Sequence, residues 1–83
     1  MFAITARVSS VRLAQFPLRR PTRILHVGGS RSVRRRLLEL GLTPGATVAV
    51  VGVSPLGDPL ELSVRGSRVS IRKKDALEIE VEP

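Results

Sequence analysis

Few side chains in this 83-residue sequence are equipped for chemistry, and those few stand apart. There is one histidine, His26, and no cysteine. A thiolate zinc site is therefore excluded, and a two-histidine, one-carboxylate iron site cannot be built within one chain. Asp58 and Asp75 each offer an oxygen ligand, but no spacing gathers several such groups on one loop. Serines are plentiful, yet a single imidazole leaves little scope for a base-activated nucleophile. Gly28-Gly29-Ser30 opens a predicted helix, where backbone amides attract anions, and Arg31, Arg34 and Arg35 follow it. The Gly-Lys-Ser/Thr of a phosphate loop is missing, so this stretch reads as a tight turn and a cap. No catalytic residue, no metal site and no cofactor is expected, and the protein reads as a non-enzyme.

What the sequence does carry is charge. Its formal net charge is +7, and nine arginines precede the first acid, Glu39. The rest holds seven acids against five cations, so the basicity belongs to one half of the chain. Such a field attracts nucleic acid, an anionic membrane surface or an acidic protein. Readers of single strands stack bases on aromatic rings, whereas this chain has only Phe2 and Phe16, both expected outside the folded barrel. Nucleic-acid binding would then be backbone-directed and lost as salt rises, and it stands as the alternative function. No apolar run approaches the roughly 20 residues of a membrane-spanning helix, so no membrane insertion is expected. The first 20 residues superficially match an organellar transit peptide. Residues 1–10 read instead as a loosely attached start, with an extension over 1–12 and one domain over 13–83.

The positioning elements follow from periodicity. Residues 23–27 form a β-rich run ended by Gly28-Gly29, and Ser30 or Ser32 caps a helix in which Val33, Leu37 and Leu40 make one apolar stripe. Gly41 suits the left-handed position after the helix, with Leu42 folding back on Leu37, and Pro44-Gly45 suits a type II turn. Residues 47–53 are β-branched and read as a strand, while the two prolines of 54–59 make a loop. Leu60, Leu62 and Val64 alternate with polar residues, and Gly66-Ser67 fits a two-residue hairpin turn. That turn sets Val64 opposite Val69, Leu62 opposite Ile71 and Glu61 opposite Arg72. Residues 73–76 break the alternation as one helical turn, and Leu77, Ile79 and Val81 make a last strand. About five strands and one short α-helix indicate a mainly β protein, a small barrel whose last strand pairs with its first and covers both edges. The outward glutamates would then face arginines such as Arg23.

Two leucines lie off this scheme. Leu38 falls between Arg34 and Arg35 on the basic face of the helix, and Leu56 sits at the tip of the proline-flanked loop. They either tuck into the mouth of the barrel or form a docking patch, apolar anchors within a basic rim.

Residues 36–45 (RLLELGLTPG), 54–59 (SPLGDP), 64–66 (VRG) and 71–76 (IRKKDA), in that order, closely resemble the FeoA family of bacterial ferrous iron transport. The resemblance covers roughly residues 13–81. It implies an SH3-like barrel and a cytoplasmic accessory role, recruited to the inner face of the membrane beside FeoB, a permease with a GTPase domain. Related domains end some metal-dependent repressors, and the role of a repressor's sensing domain is the less expected one, since these 83 residues hold no DNA-binding helical domain. Within the resemblance, Leu38, Leu42 and Leu56 are the expected anchors on the partner, flanked by Pro55 and Gly57. Arg34 and Arg35 steer an acidic face toward them, and Gly41, Pro44, Gly45 and Gly66 hold the turns.

Overall fold

Short runs of branched aliphatic residues become six strands in the computed structural model, which describes residues 10–83. Phe2, the first nine of the 20 residues that resemble a transit peptide, and most of the N-terminal extension over 1–12 lie outside the described residues. The strands are β1 (Val11–Arg12), β2 (Thr22–Val27), β3 (Thr47–Val53), β4 (Leu60–Val64), β5 (Ser67–Ile71) and β6 (Ile79–Val81). All pairings are antiparallel, in the order β1-β6-β2-β3-β4-β5. As expected, the last strand closes onto β2, with Ile24 opposite Val81 and Val27 opposite Ile79. Beyond that ladder, Thr22 Oγ1 donates to the Glu82 carbonyl (2.6 Å) and Glu82 N–H to the Arg23 carbonyl (3.0 Å).

Closure differs from expectation at the margins. β6 also pairs with β1, Val11 lying opposite Val81, so β1 and β5 end the sheet and its edges are not both covered. Glu80 meets Arg12 (3.5 Å) and His26 (3.8 Å) rather than Arg23, because β1 occupies the outer flank of β6. Register irregularities in β2 and β3 bend the sheet. It thereby wraps one core in which Leu13, Ile24, Leu37, Leu42, Leu62 and Ile79 are fully buried. Phe16 belongs to this core too, correcting its placement outside the barrel: a 3₁₀ turn over Leu13–Gln15 delivers it inward, and the Arg20 guanidinium lies 5.4 Å from its ring centre.

The β4–β5 hairpin corrects a second expectation. Val64 pairs with Ser67, Leu62 with Val69 and Leu60 with Ile71, two residues off the predicted register. The turn is Arg65-Gly66, with φ of 52° and 79°, the two left-handed centres of a type I′ turn. An even shift keeps every side chain on its original face, so the apolar set stays inward. Arg65 accepts this uncommon backbone where its side chain is bonded: Nε donates to the Gly41 carbonyl (3.3 Å) and Nη2 to Thr43 Oγ1 (2.9 Å).

Helix α1 (Arg31–Glu39) has both ends specified by sequence. Ser30 Oγ accepts from the Val33 N–H at 3.2 Å. At the other end Gly41, with φ +95°, donates to the Leu38 carbonyl and Leu42 to the Leu37 carbonyl, a Schellman motif. A side chain at Gly41 would hold this left-handed backbone under strain, and the Arg65 Cδ sits 3.4 Å from where a Cβ would stand. Gly41→Ala should cost about 1–2 kcal/mol, read as a lower midpoint in urea unfolding. The apolar stripe is rotated from its predicted course: Leu37 is buried, Leu40 is exposed, and Leu38 is half-buried against the core. A one-turn helix, α2 (Lys73–Ala76), precedes β6.

Candidate docking surface

The outward face of α1 is cationic. Arg31, Arg34, Arg35, Leu38 and Glu39 line a shallow groove along one flank, with half-buried Leu38 as its apolar floor. Arg34 is partly committed inward, its Nε donating to the Val27 carbonyl at 3.1 Å. Arg35 faces Glu39 at 3.6 Å with both side chains largely exposed, a pair worth little in water. Arg35 and Arg31 are therefore available to a partner.

The opposite flank of α1 has a different structure. Arg36 Nη2 reaches Asp75 Oδ2 at 2.8 Å, and the Asp75 side chain is only 6% exposed. This contact ties α1 to α2. From α2 the connection continues outward, because the Lys73 N–H donates to Asp58 Oδ1 at 3.0 Å in the 54–59 loop. Neither link has a local signal in the sequence, because the fold alone brings Arg36 to Asp75 and Lys73 to Asp58, and each aspartate anchors a helix rather than a metal. The run Arg72-Lys73-Lys74 lies outside the expected docking residues, although three consecutive cations after an apolar strand are a legible signal. All three are exposed, and no carboxylate lies within 4 Å of their charged groups among the described residues.

The remaining expected anchors separate. Leu56 does not tuck into the barrel; it is 94% exposed at the loop tip, with Pro55 beside it and Gly57 (φ +87°) completing the bend. Leu42 corrects the sequence reading: it is 0% exposed, because the Schellman turn drives it into the core, and so it offers nothing to a partner. Pro44 and Gly45 form the expected turn, Ala46 N–H donating to the Thr43 carbonyl at 3.0 Å and Gly45 taking φ +92°. His26 is exposed on β2. Among the described residues no group of three or more His, Cys, Asp or Glu side chains could hold a metal, and no helix is long and apolar enough to cross a membrane. Phe16, the one Phe, Tyr or Trp among the described residues, is buried and offers no ring for bases to stack on.

A small antiparallel barrel that presents a charged surface rather than a pocket is the class of module this geometry defines, one of SH3-like type. The FeoA domain matches residues 11–83, and the chain belongs to the FeoA family. A fusion of Fe(2+) transport protein A with the Fe(2+) transporter FeoB, from Porphyromonas gingivalis, is 42% identical over 59 residues. That match covers 71% of this chain but 7% of the fusion, so the chain spans a small part of that relative. The solution structure of FeoA from Chlorobium tepidum superposes with a TM-score of 0.81 at 33% identity, covering 87% of this chain and 69% of that one. A crystal structure of Stenotrophomonas maltophilia FeoA complexed with zinc, described as a procaryotic SH3 domain protein, gives a TM-score of 0.69 at 28% identity, covering 84% and 87%. The family is associated with ferrous iron transport, and one relative carries its domain fused to FeoB.

Proposed function

We propose that this chain serves ferrous iron uptake as a non-enzymatic module that docks on the FeoB permease and modulates it. Working in the cytoplasm, it meets the GTPase-bearing side of that permease at the inner face of the membrane. The observation that carries this reading is the fusion relative: joining two modules in one chain raises the effective concentration of each for the other, which is useful where they act in contact. The α1 flank suits the role, with Arg31 and Arg35 steering an acidic face and Leu38 as the apolar floor between them. The loop residues Pro55, Leu56 and Gly57 stand apart, linked to α1 only through α2, and their surroundings suit a different occupant.

The test is co-purification of the full chain with FeoB from a detergent extract. Arg31→Glu combined with Arg35→Glu alters two exposed side chains and should leave the melting temperature within a few degrees. Capture of FeoB should fall more than tenfold, since like charges placed across an interface are strongly disfavoured. Undiminished capture by the double variant would overturn the docking face.

A further inference from the structure

The 54–59 loop brings together two things that rarely meet on a soluble surface. Its tip is apolar: Leu56 is 94% exposed, Pro55 and Pro59 flank it, and Val53 just before the loop is 44% exposed. Its collar is cationic, since Asp58, two residues from Leu56, receives the N–H of Lys73 at the centre of the Arg72-Lys73-Lys74 run. Arg72 and Lys74 line a groove alongside that runs toward α1, where Arg36 is neutralised by Asp75. The one carboxylate within the loop, on Asp58, is turned to the start of α2 by that bond.

Part of the backbone of the tip is paired within the loop itself. Pro55 and Pro59 have no N–H to satisfy. Ser54 N–H donates to the Pro59 carbonyl (3.2 Å), Gly57 N–H to the Ser54 carbonyl (2.8 Å) and Ser54 Oγ to the Asp58 carbonyl (2.6 Å). Of the four N–H groups in the loop, those of Ser54 and Gly57 are paired and those of Leu56 and Asp58 are not, among the described residues. The open N–H of Leu56 needs water or a phosphate oxygen, which the headgroup region supplies and acyl chains do not, so any entry of this tip is shallow.

We infer that the 54–59 loop and the Arg72-Lys73-Lys74 run form a shallow anchor for an anionic phospholipid surface, Leu56 entering the headgroup region while the three cations meet the phosphates. This goes beyond the docking reading and does not use the α1 flank. It revises the expectation of no membrane insertion for this tip alone, with no span implied. Each basic residue near an anionic leaflet contributes about 1 kcal/mol, roughly fivefold in affinity. Burial of one leucine contributes a further factor on the order of tenfold. The anchor is accordingly weak, reversible and additive with any protein contact.

Any chain of net charge +7 drifts toward an anionic surface, so the test must read the tip itself. The protein has no tryptophan, which makes Leu56→Trp a clean single probe. Its emission should shift to the blue on vesicles of phosphatidylglycerol and phosphatidylcholine, and stay unshifted on phosphatidylcholine alone. In flotation with the mixed vesicles, Leu56→Asp should weaken binding about tenfold, and Lys73→Glu with Lys74→Glu more than tenfold. An unshifted Leu56→Trp spectrum on anionic vesicles would overturn the anchor. So would Leu56→Asp binding vesicles like wild type while failing to capture detergent-solubilised FeoB, an outcome that makes the tip a protein anchor. Because the double α1 variant keeps the tip intact, loss of FeoB capture with normal vesicle binding would leave the two surfaces resolved.

Discussion

Arg36→Ala should destabilise the domain by about 3 kcal/mol, lowering its melting temperature by roughly 12–24 °C. The size follows from an asymmetry in the ion pair. Arg36 is 57% exposed, whereas the carboxylate it meets at 2.8 Å is almost wholly enclosed. Removing the arginine leaves a charge that has lost its water and gained nothing in return, and this is the costly half of a buried pair to delete. Asp75→Asn should cost less, since it abandons only an arginine already in contact with solvent. Replacing both at once, Arg36→Met with Asp75→Leu, should recover much of the loss, because no uncompensated charge stays behind. The cycle is read by thermal melts of the four proteins. Equal costs for the two single variants would show that α2 is held by packing instead, Ala76 being fully buried next to it.

Leu62→Ala is expected to cost about 3 kcal/mol, within the 2–5 usual for a leucine emptied from a core. Leu62 lies at the centre of β4 with Val50 on one side and Val69 on the other, and it is fully buried. Neither neighbouring strand can close over the gap without breaking a ladder, so most of the cavity would persist. For a domain whose whole stability is on the order of 5–15 kcal/mol, that is a large fraction. Leu56→Ala removes the same atoms from a site open to water and should change stability by less than about 0.5 kcal/mol. Denaturant midpoints for the two variants measure the contrast directly, and similar shifts would refute the placement of either residue.

Local signals in the sequence led to much of this architecture. Ser30 and Gly41 bound α1 because capping depends on residue type within a few positions, and Pro44-Gly45 specifies its turn for the same reason. The pairing of β6 with β2 followed from alternation in Ile79 and Val81. The hairpin register was misplaced because a left-handed arginine is a poor expectation from sequence, and its cause lies 22 residues away at Thr43. Leu13 and Phe16 escaped notice as core because no periodicity marks a single 3₁₀ turn. Around the candidate site, charge was visible and its disposition was not. Which arginine faces a partner and which serves the fold is settled by long-range contacts such as Arg36–Asp75 and Arg34 with Val27.

The pairing of Val11 with Val81 has a consequence for how such a module can be attached to something larger. Opposed residues on antiparallel strands lie about 5 Å apart, so the strands that begin and end the described barrel run side by side. A tether leading into β1 or out of β6 would therefore restrain one and the same region of the barrel.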